Sequence, residues 1–279
     1  MAGISATTLA NGIPSKWADF DIACNEEMVF ANKIKEYDLG PGGTFYVPYI
    51  AAVTAGTVSA GNGNSLTFPT PTEGRATLTP VTRSAQVEIE KQAAKRAVSD
   101  PTSPYKQQIA AALATIIDAD CLVDVSTLTS SIINAAAGIT RADITEAYGK
   151  GATNAKNQWK VGSSDVFGIV HPSQINNLLN QDALVSSQYR GGTDVAVRTG
   201  WIVEAFGVKW YESGNVYVSG GNAYNVIAAK GAFGIAYNWR SEMEPAQPFH
   251  LVMRYIVSAD FAHTAVRENY AVQLLSPNT

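Results

Sequence analysis

"DLGPGGTFYVPYIAAVTAGTVSAGNGNSLTFPTPTEG" occupies residues 38–74, and between Asp38 and Glu73 it holds no Lys, Arg, His, Asp or Glu. Thirty-four successive uncharged positions, 39–72, invite comparison with a membrane span. Gly40, Pro41, Gly42, Gly43, Pro48, Gly56, Gly61 and Gly63 break the run. No window reaches the roughly 18 apolar residues a spanning helix needs. The flanks read differently. "GTFYVPYIAAV" (43–53) is rich in β-formers. In "TLTPVTRSAQVEIE" (77–90), Val81, Ala85, Val87 and Ile89 share one face, while Ser84, Gln86, Glu88 and Glu90 share the other. Between them "AGNGNS" offers an Asn-Gly pair suited to the positive φ of a tight reversal.

One long β-hairpin with its tip near Asn62-Gly63 accounts for this pattern. The alternative, a Gly/Thr loop joining unrelated strands, requires an unusually long structureless segment. Each arm has on the order of 20 residues and reaches up to roughly 65 Å at about 3.3 Å per residue. A 100-residue domain has a radius of gyration of only about 13 Å, so the hairpin is expected to project. A free, uncharged ribbon is an aggregation hazard. It is expected to lie on a neighbouring copy of the chain.

Composition agrees with extensive contact between proteins. Of 279 residues, 46% are hydrophobic but only 16% are charged, against about 25% in typical soluble domains. Large stable interfaces favour a surface that is polar yet poor in Lys and Glu. A net charge of −4 argues against tight nucleic-acid binding, though not against enclosing it. Cys24 and Cys121 are the only cysteines, read as reduced thiols of a cytoplasmic protein. The start, "MAGISATTLANGIPSKWADFD", lacks a basic stretch followed by an apolar one, so no signal peptide is expected.

Along the rest of the chain, Phe30, Ile34 and Tyr37 at helical spacing predict a short amphipathic helix stopped by Gly40-Pro41. "SDPTSPYKQQIAAALATIIDADCLVDV" predicts the longest helix, with Ser103 as N-cap and Pro104 at its first position. "STLTSSIINAAAG" marks a boundary. After it, Thr140 and Asp143 form a capping box, with Ile139 and Ile144 as a hydrophobic staple. "DVFGIVHPSQINNLLNQ" predicts a buried strand ending at His171 and a short helix opened by Pro172. Short strands separated by Gly and Asn follow to residue 239, giving a compact α+β unit over 136–239. Two further strands close the sequence.

Chemistry is sparse. There are three histidines, and no G-x-S-x-G, H-E-x-x-H, C-x-x-C or phosphate-loop motif. Asp118, Asp120 and Asp124 cluster at a helix end but lack calcium-loop spacing, and are read as solvated carboxylates. "GNGNS" and "VSGGNAYN" are weak nucleotide-loop candidates. Lys91, Lys95 and Arg96 read as a solvated face. No catalytic, cofactor-binding or metal-ligating residue is expected.

The order of these parts resembles the major capsid proteins of tailed bacteriophages, the Hong Kong 97 fold. The resemblance is carried by "GGTFYVPYI", "AVSDPTSPYKQQIAAALATIIDAD", "VFGIVHPSQINNLL" and "AHTAVRENYAVQLL". It implies an α+β chain with an N-terminal arm (1–40), an extended E-loop hairpin (41–90), a peripheral domain with a spine helix (91–135 and 240–279), and an axial domain (136–239). Trp17, Phe20, Thr57, Asn62, Gly63, Asn64, Phe68, Glu73 and Arg75 then become candidate inter-subunit contacts. The implied product is an icosahedral shell of pentamers and hexamers enclosing double-stranded DNA, assembled in a bacterial cytoplasm with separate scaffolding and portal proteins and no membrane. An encapsulin-type nanocompartment is the alternative within the same fold. A hydrolase using His171 is the reading outside it.

Overall fold

The computed structural model describes residues 28–38, 43–50, 73–91, 102–133, 138–155, 159, 165–181, 204–205, 207–249 and 252–278. Helices and strands are mixed, as the sequence predicts. Strands β1 (Lys35–Asp38), β4 (Val81–Glu90), β11 (Phe233–Phe249) and β12 (Val252–Ala265) form one sheet in the order β1-β11-β12-β4. The long β11–β12 hairpin is its centre. Strand β4 runs antiparallel to β12 with Val257 opposite Ala85 and Tyr255 opposite Val87. The alternation read from 85–89 therefore faces inward, with Ile89 buried, whereas Val81 at the strand's start is exposed.

Helix α1 (Thr102–Val123) begins one residue before the expected cap and lies along β4 and β12. Its Ile109, Leu113, Ile117 and Cys121 recur at four-residue steps and are all buried. They join Ile89, Tyr255, Val257 and Phe261 in the larger of two main cores. That core also takes one face of a second sheet.

The second sheet is ordered β5-β13-β10-β6-β8-β7 and draws on β5 (Ser131–Ile133), β6 (Val166–Val170), β7 (Glu204–Ala205), β8 (Val208–Glu212), β10 (Asn222–Ala229) and β13 (Ala271–Pro277). Both its faces are covered, which is why β6 reads as an unbroken apolar run. Phe167 and Ile169 enter the first core, while Val166 and Val170 enter the second. Helices α2 (Arg141–Ala155) and α3 (Ile175–Leu179) supply Ile144, Ala147 and Leu178 to that second core. A cut at 239/240 falls inside β11, and β13 sits beside β10 within the second sheet.

The capping box at α2 forms in both directions. The Thr140 N–H donates to Asp143 Oδ2 at 2.7 Å, and the Asp143 N–H donates to Thr140 Oγ1 at 3.3 Å. Ile139 and Ile144 are both buried, as a staple requires. The glycines of "VSGGNAYN" make a hairpin turn instead of a nucleotide loop. Ser219 of β9 (Val218–Ser219) pairs with Asn222, and the intervening Gly220 and Gly221 have φ of 59° and 79°. Two positive φ values in a two-residue connection are the twist-matched solution for a tight hairpin.

Two expectations change. Residues 31–33 form a turn, and 35–38 are a strand parallel to β11, so the helix expected through Phe30, Ile34 and Tyr37 does not form there. Steps of four and three suit a helix and not a strand; a distant parallel partner decided against them. The expected second hairpin arm is also divided. Strand β2 (Phe45–Ile50) pairs antiparallel with β3 (Glu73–Leu78), but after Thr79-Pro80 the chain leaves the ribbon, and β4 joins the main sheet. Pro80 has no N–H to continue a ladder. Among the described residues, no helix is long and apolar enough to cross a membrane.

Candidate assembly surface

The hairpin root is the part of the ribbon within the described residues. Alternation splits it into two faces. Phe45, Val47, Gly74, Ala76 and Leu78 turn inward; Tyr46, Pro48, Ile50, Glu73, Arg75 and Thr77 turn outward. Val47 and Leu78 seat on Ala236, Ala262 and Val266 in a small third core, separate from the two larger ones. Phe45 rests beside Tyr37 of β1, ring centroids 6.2 Å apart. At the outer end, the Tyr49 ring lies across its cross-strand partner Gly74, where an added Cβ would meet it at 2.5 Å. An aromatic over a glycine pins register in an otherwise weakly specified pair.

The outward face carries two large, exposed apolar side chains, Tyr46 at 48% and Ile50 at 57%. Glu73 and Arg75, both expected contact residues, are exposed on this face, and the Arg75 guanidinium stands 4.6 Å over the Tyr46 ring. Exposed aromatic, aliphatic and Arg side chains together have the composition of an interface centre. Trp17, Phe20, Thr57, Asn62, Gly63, Asn64 and Phe68 lie outside the described residues, as does the expected hairpin tip. Sequence reasoning missed Arg267. Its guanidinium lies 5.7 Å from the Tyr49 ring and 5.2 Å from the Tyr270 ring, and its Nη1 donates to the Tyr270 hydroxyl at 2.8 Å. It thus ties the root to the body.

The carboxylates read as solvated are each engaged. Asp118 has no exposed surface; it accepts the Ala31 N–H at 2.9 Å and the Asn215 amide at 3.1 Å. Burial raises its pKa, although these bonds and those from the Val29 and Phe30 backbone pull the other way. Asp120 binds Arg83 of β4 through two bonds of 2.7 and 3.1 Å. Asp124 meets His263 Nδ1 at 2.9 Å. Burial opposes the charged imidazolium, but the Asp124 hydrogen bond and charge outweigh it and leave the His263 pKa raised. These three carboxylates, on the last turns of α1 and just after it, therefore serve separate contacts and not one shared site. No group of His, Cys, Asp and Glu able to hold a metal occurs among the described residues.

His171, the residue on which a hydrolase would depend, caps a turn. Its backbone N–H donates to Asn225 Oδ1 at 2.7 Å, and its Nδ1 accepts the Ser173 N–H at 3.2 Å. The Asn225 amide, fully buried, donates on to Leu274 O and Ser276 Oγ. This is a strand-end arrangement that fixes β6, β10 and β13 together.

No protein-family model matches the chain, and no curated protein matches it in sequence. Solved structures do match along nearly its whole length. A chain of Mycobacterium phage Che8 superposes with a TM-score of 0.74 at 20% identity, covering 94% of this chain and 96% of that one. The capsid of the cyanophage P-SCSP1u gives 0.73 at 15% identity, covering 94% and 92%. The capsid of a native GTA particle gives 0.72 at 12%, covering 95% of both chains. With both lengths accounted for almost entirely, the fold of this chain is that of phage capsid proteins.

Proposed function

We propose that the chain is the major capsid protein of a tailed phage, whose copies close an icosahedral head around double-stranded DNA. The end-to-end correspondence with phage capsid chains, at TM-scores of 0.72 to 0.74, carries this reading. In Hong Kong 97 vocabulary, the first sheet with α1 is the peripheral domain. The second sheet with α2 and α3 is the axial domain, to which β5 and β13 then belong. The ribbon rooted at β2 and β3 is the E-loop, and Glu73 and Arg75 belong to its contact surface on an adjacent subunit. Pentamers and hexamers repeat heterologous contacts about an axis. The exposed Tyr46 and Ile50 favour this reading because an obligate interface covers such side chains. Partners beyond itself are DNA held without sequence preference, and separate scaffolding and portal proteins. The site of action is the virion, after assembly in the host cytoplasm.

Negative-stain microscopy of the purified chain tests the proposal: closed shells are expected. Deleting residues 57–70 is expected to leave a soluble, folded subunit that builds none. Normal particles from the deletion would remove the ribbon from its clamping role. A purified chain that stays monomeric at every concentration would remove the shell itself.

A further inference from the structure

Cations on this chain are held in two ways. Arg83, Arg240 and Arg254 each sit on a carboxylate, of Asp120, Glu36 and Glu88 respectively. Around the hairpin root the partners are rings instead. Lys35 Nζ stands 4.7 Å over Tyr37, and the Arg267 guanidinium lies between Tyr49 and Tyr270 at 5.7 and 5.2 Å. Lys230, in the turn between β10 and β11, joins them in lining one cleft of about 680 Å³. Among the described residues, none of these three cations forms a salt bridge. A carboxylate partner cancels a cation's charge; a ring face positions the cation and leaves the charge in place.

We propose that this cleft, walled by β1, the β10–β11 turn and Arg267, binds a compact phosphate dianion. The ligand class is a diphosphate or a phosphomonoester, free or at the end of a nucleotide chain. Charge selects it. Asp165 is the one acidic residue lining the cleft, so the three cations leave an excess of two positive charges. A phosphomonoester carries about −1.5 to −2 at neutral pH, whereas a lone carboxylate carries half that. Geometry agrees. Arg267 spends one N–H on the Tyr270 hydroxyl and keeps the rest of its fork, the shape that grips phosphate oxygens through two bonds. The cleft's volume lies within the range of small-molecule sites. All of these residues belong to one chain, so the site does not require shell closure. Its occupant would join the root, through Pro48 and Tyr49, to the body.

Calorimetric titration of the purified full-length chain with sodium pyrophosphate, at ionic strength held constant with sodium chloride, tests this. Saturable binding of one pyrophosphate per chain is expected. Lys230→Gln should weaken it about tenfold while the chain melts at the wild-type temperature. Arg83→Gln removes the same charge from a cation already paired with Asp120, and should leave the affinity unchanged. No saturable heat, or equal affinity in the Lys230→Gln chain, overturns the proposal. Citrate binding as tightly as pyrophosphate also overturns it, because carboxylates would then suffice. An oligonucleotide with a 5′-phosphate distinguishes the two sources: tighter binding than pyrophosphate assigns the site to nucleic-acid ends, and weaker binding assigns it to free phosphates. The same strand without its terminal phosphate should bind at least tenfold more weakly; equal binding would mean that backbone charge alone is read, against the proposal. Amide exchange locates the ligand. Pyrophosphate is expected to slow exchange at residues 45–50, and binding without that slowing would place the site elsewhere.

Discussion

Leu78 is the anchor of the hairpin root, and Leu78→Ala measures how the ribbon is held. The side chain has no exposed surface and fills a small core with Val47, Ala236, Ala262 and Val266. The substitution removes three carbons, about 2.4 kcal/mol of transfer free energy at about 0.8 kcal/mol each. A residual cavity brings the loss to about 3 kcal/mol. This cluster is separate from the two larger cores, so the loss falls on docking of β2 and β3 against β11 and β12. About 3 kcal/mol corresponds to roughly a 100-fold rise in the undocked population. Amide hydrogen exchange reads it directly. Protection at residues 45–50 and 73–78 is expected to fall about 100-fold, while amides of β6 and β10 keep their wild-type rates. Equal loss of protection in all four strands would mean that the root is not a separately held unit. Unchanged exchange at the root would mean that Leu78 does not anchor it.

Other substitutions probe the body. Gly151 lies against Trp159, and an added Cβ would meet the indole at 2.3 Å. Gly151→Ala is therefore expected to lower the melting temperature, since overpacking of about 1–3 kcal/mol exceeds the helix-propensity gain of about 1; a higher melting temperature would contradict the close fit. Asp118→Ala orphans the buried Ala31 N–H and the Asn215 amide and should cost about 2–3 kcal/mol in urea unfolding, with wild-type stability refuting the tie. His263 faces Asp124, Asp120 and Arg83, and its pKa is raised in the folded chain. Its contribution is complete below the ordinary histidine value of about 6.5 and drains away as pH climbs through the raised value. Wild-type stability should thus decline across that interval, and His263→Gln should flatten the decline; parallel profiles would refute the pairing.

Local signals were the ones the sequence carried well. The Thr140–Asp143 box, the apolar strand ending at His171-Pro172 and the four-residue steps of α1 each depend on neighbours within a few positions, and each forms. The strand at 35–38 was illegible because its partner, Gly234–Tyr237, is remote and parallel. Phe30, Ile34 and Tyr37 are buried or half-buried, yet on a turn and a strand. The departure of β4 from the ribbon was signalled by Pro80, but only the competing edge of β12 shows why the chain leaves there. Asp118 looked like one of three similar carboxylates. Its burial follows from a contact with Ala31, 87 positions away, which no spacing rule encodes. Arg267 was missed for the same reason. Nothing near it in the sequence announces Tyr49, whereas Glu73 and Arg75 were candidates through the family resemblance.

The first sheet has a consequence for biosynthesis. Thr82 of β4 reaches Asp260 of β12, 178 positions further along the chain, and Lys35 of β1 pairs with Gly234. Neither edge strand finds its ladder until the central hairpin has left the ribosome. During translation at about 5–20 residues per second, β1 and β4 therefore wait on the order of ten seconds or more as unpaired β-forming segments. Slowly closing, high-contact-order topologies of this kind are vulnerable to sticking to one another before they are complete. Yield of native subunits should accordingly respond to growth temperature and chaperone supply.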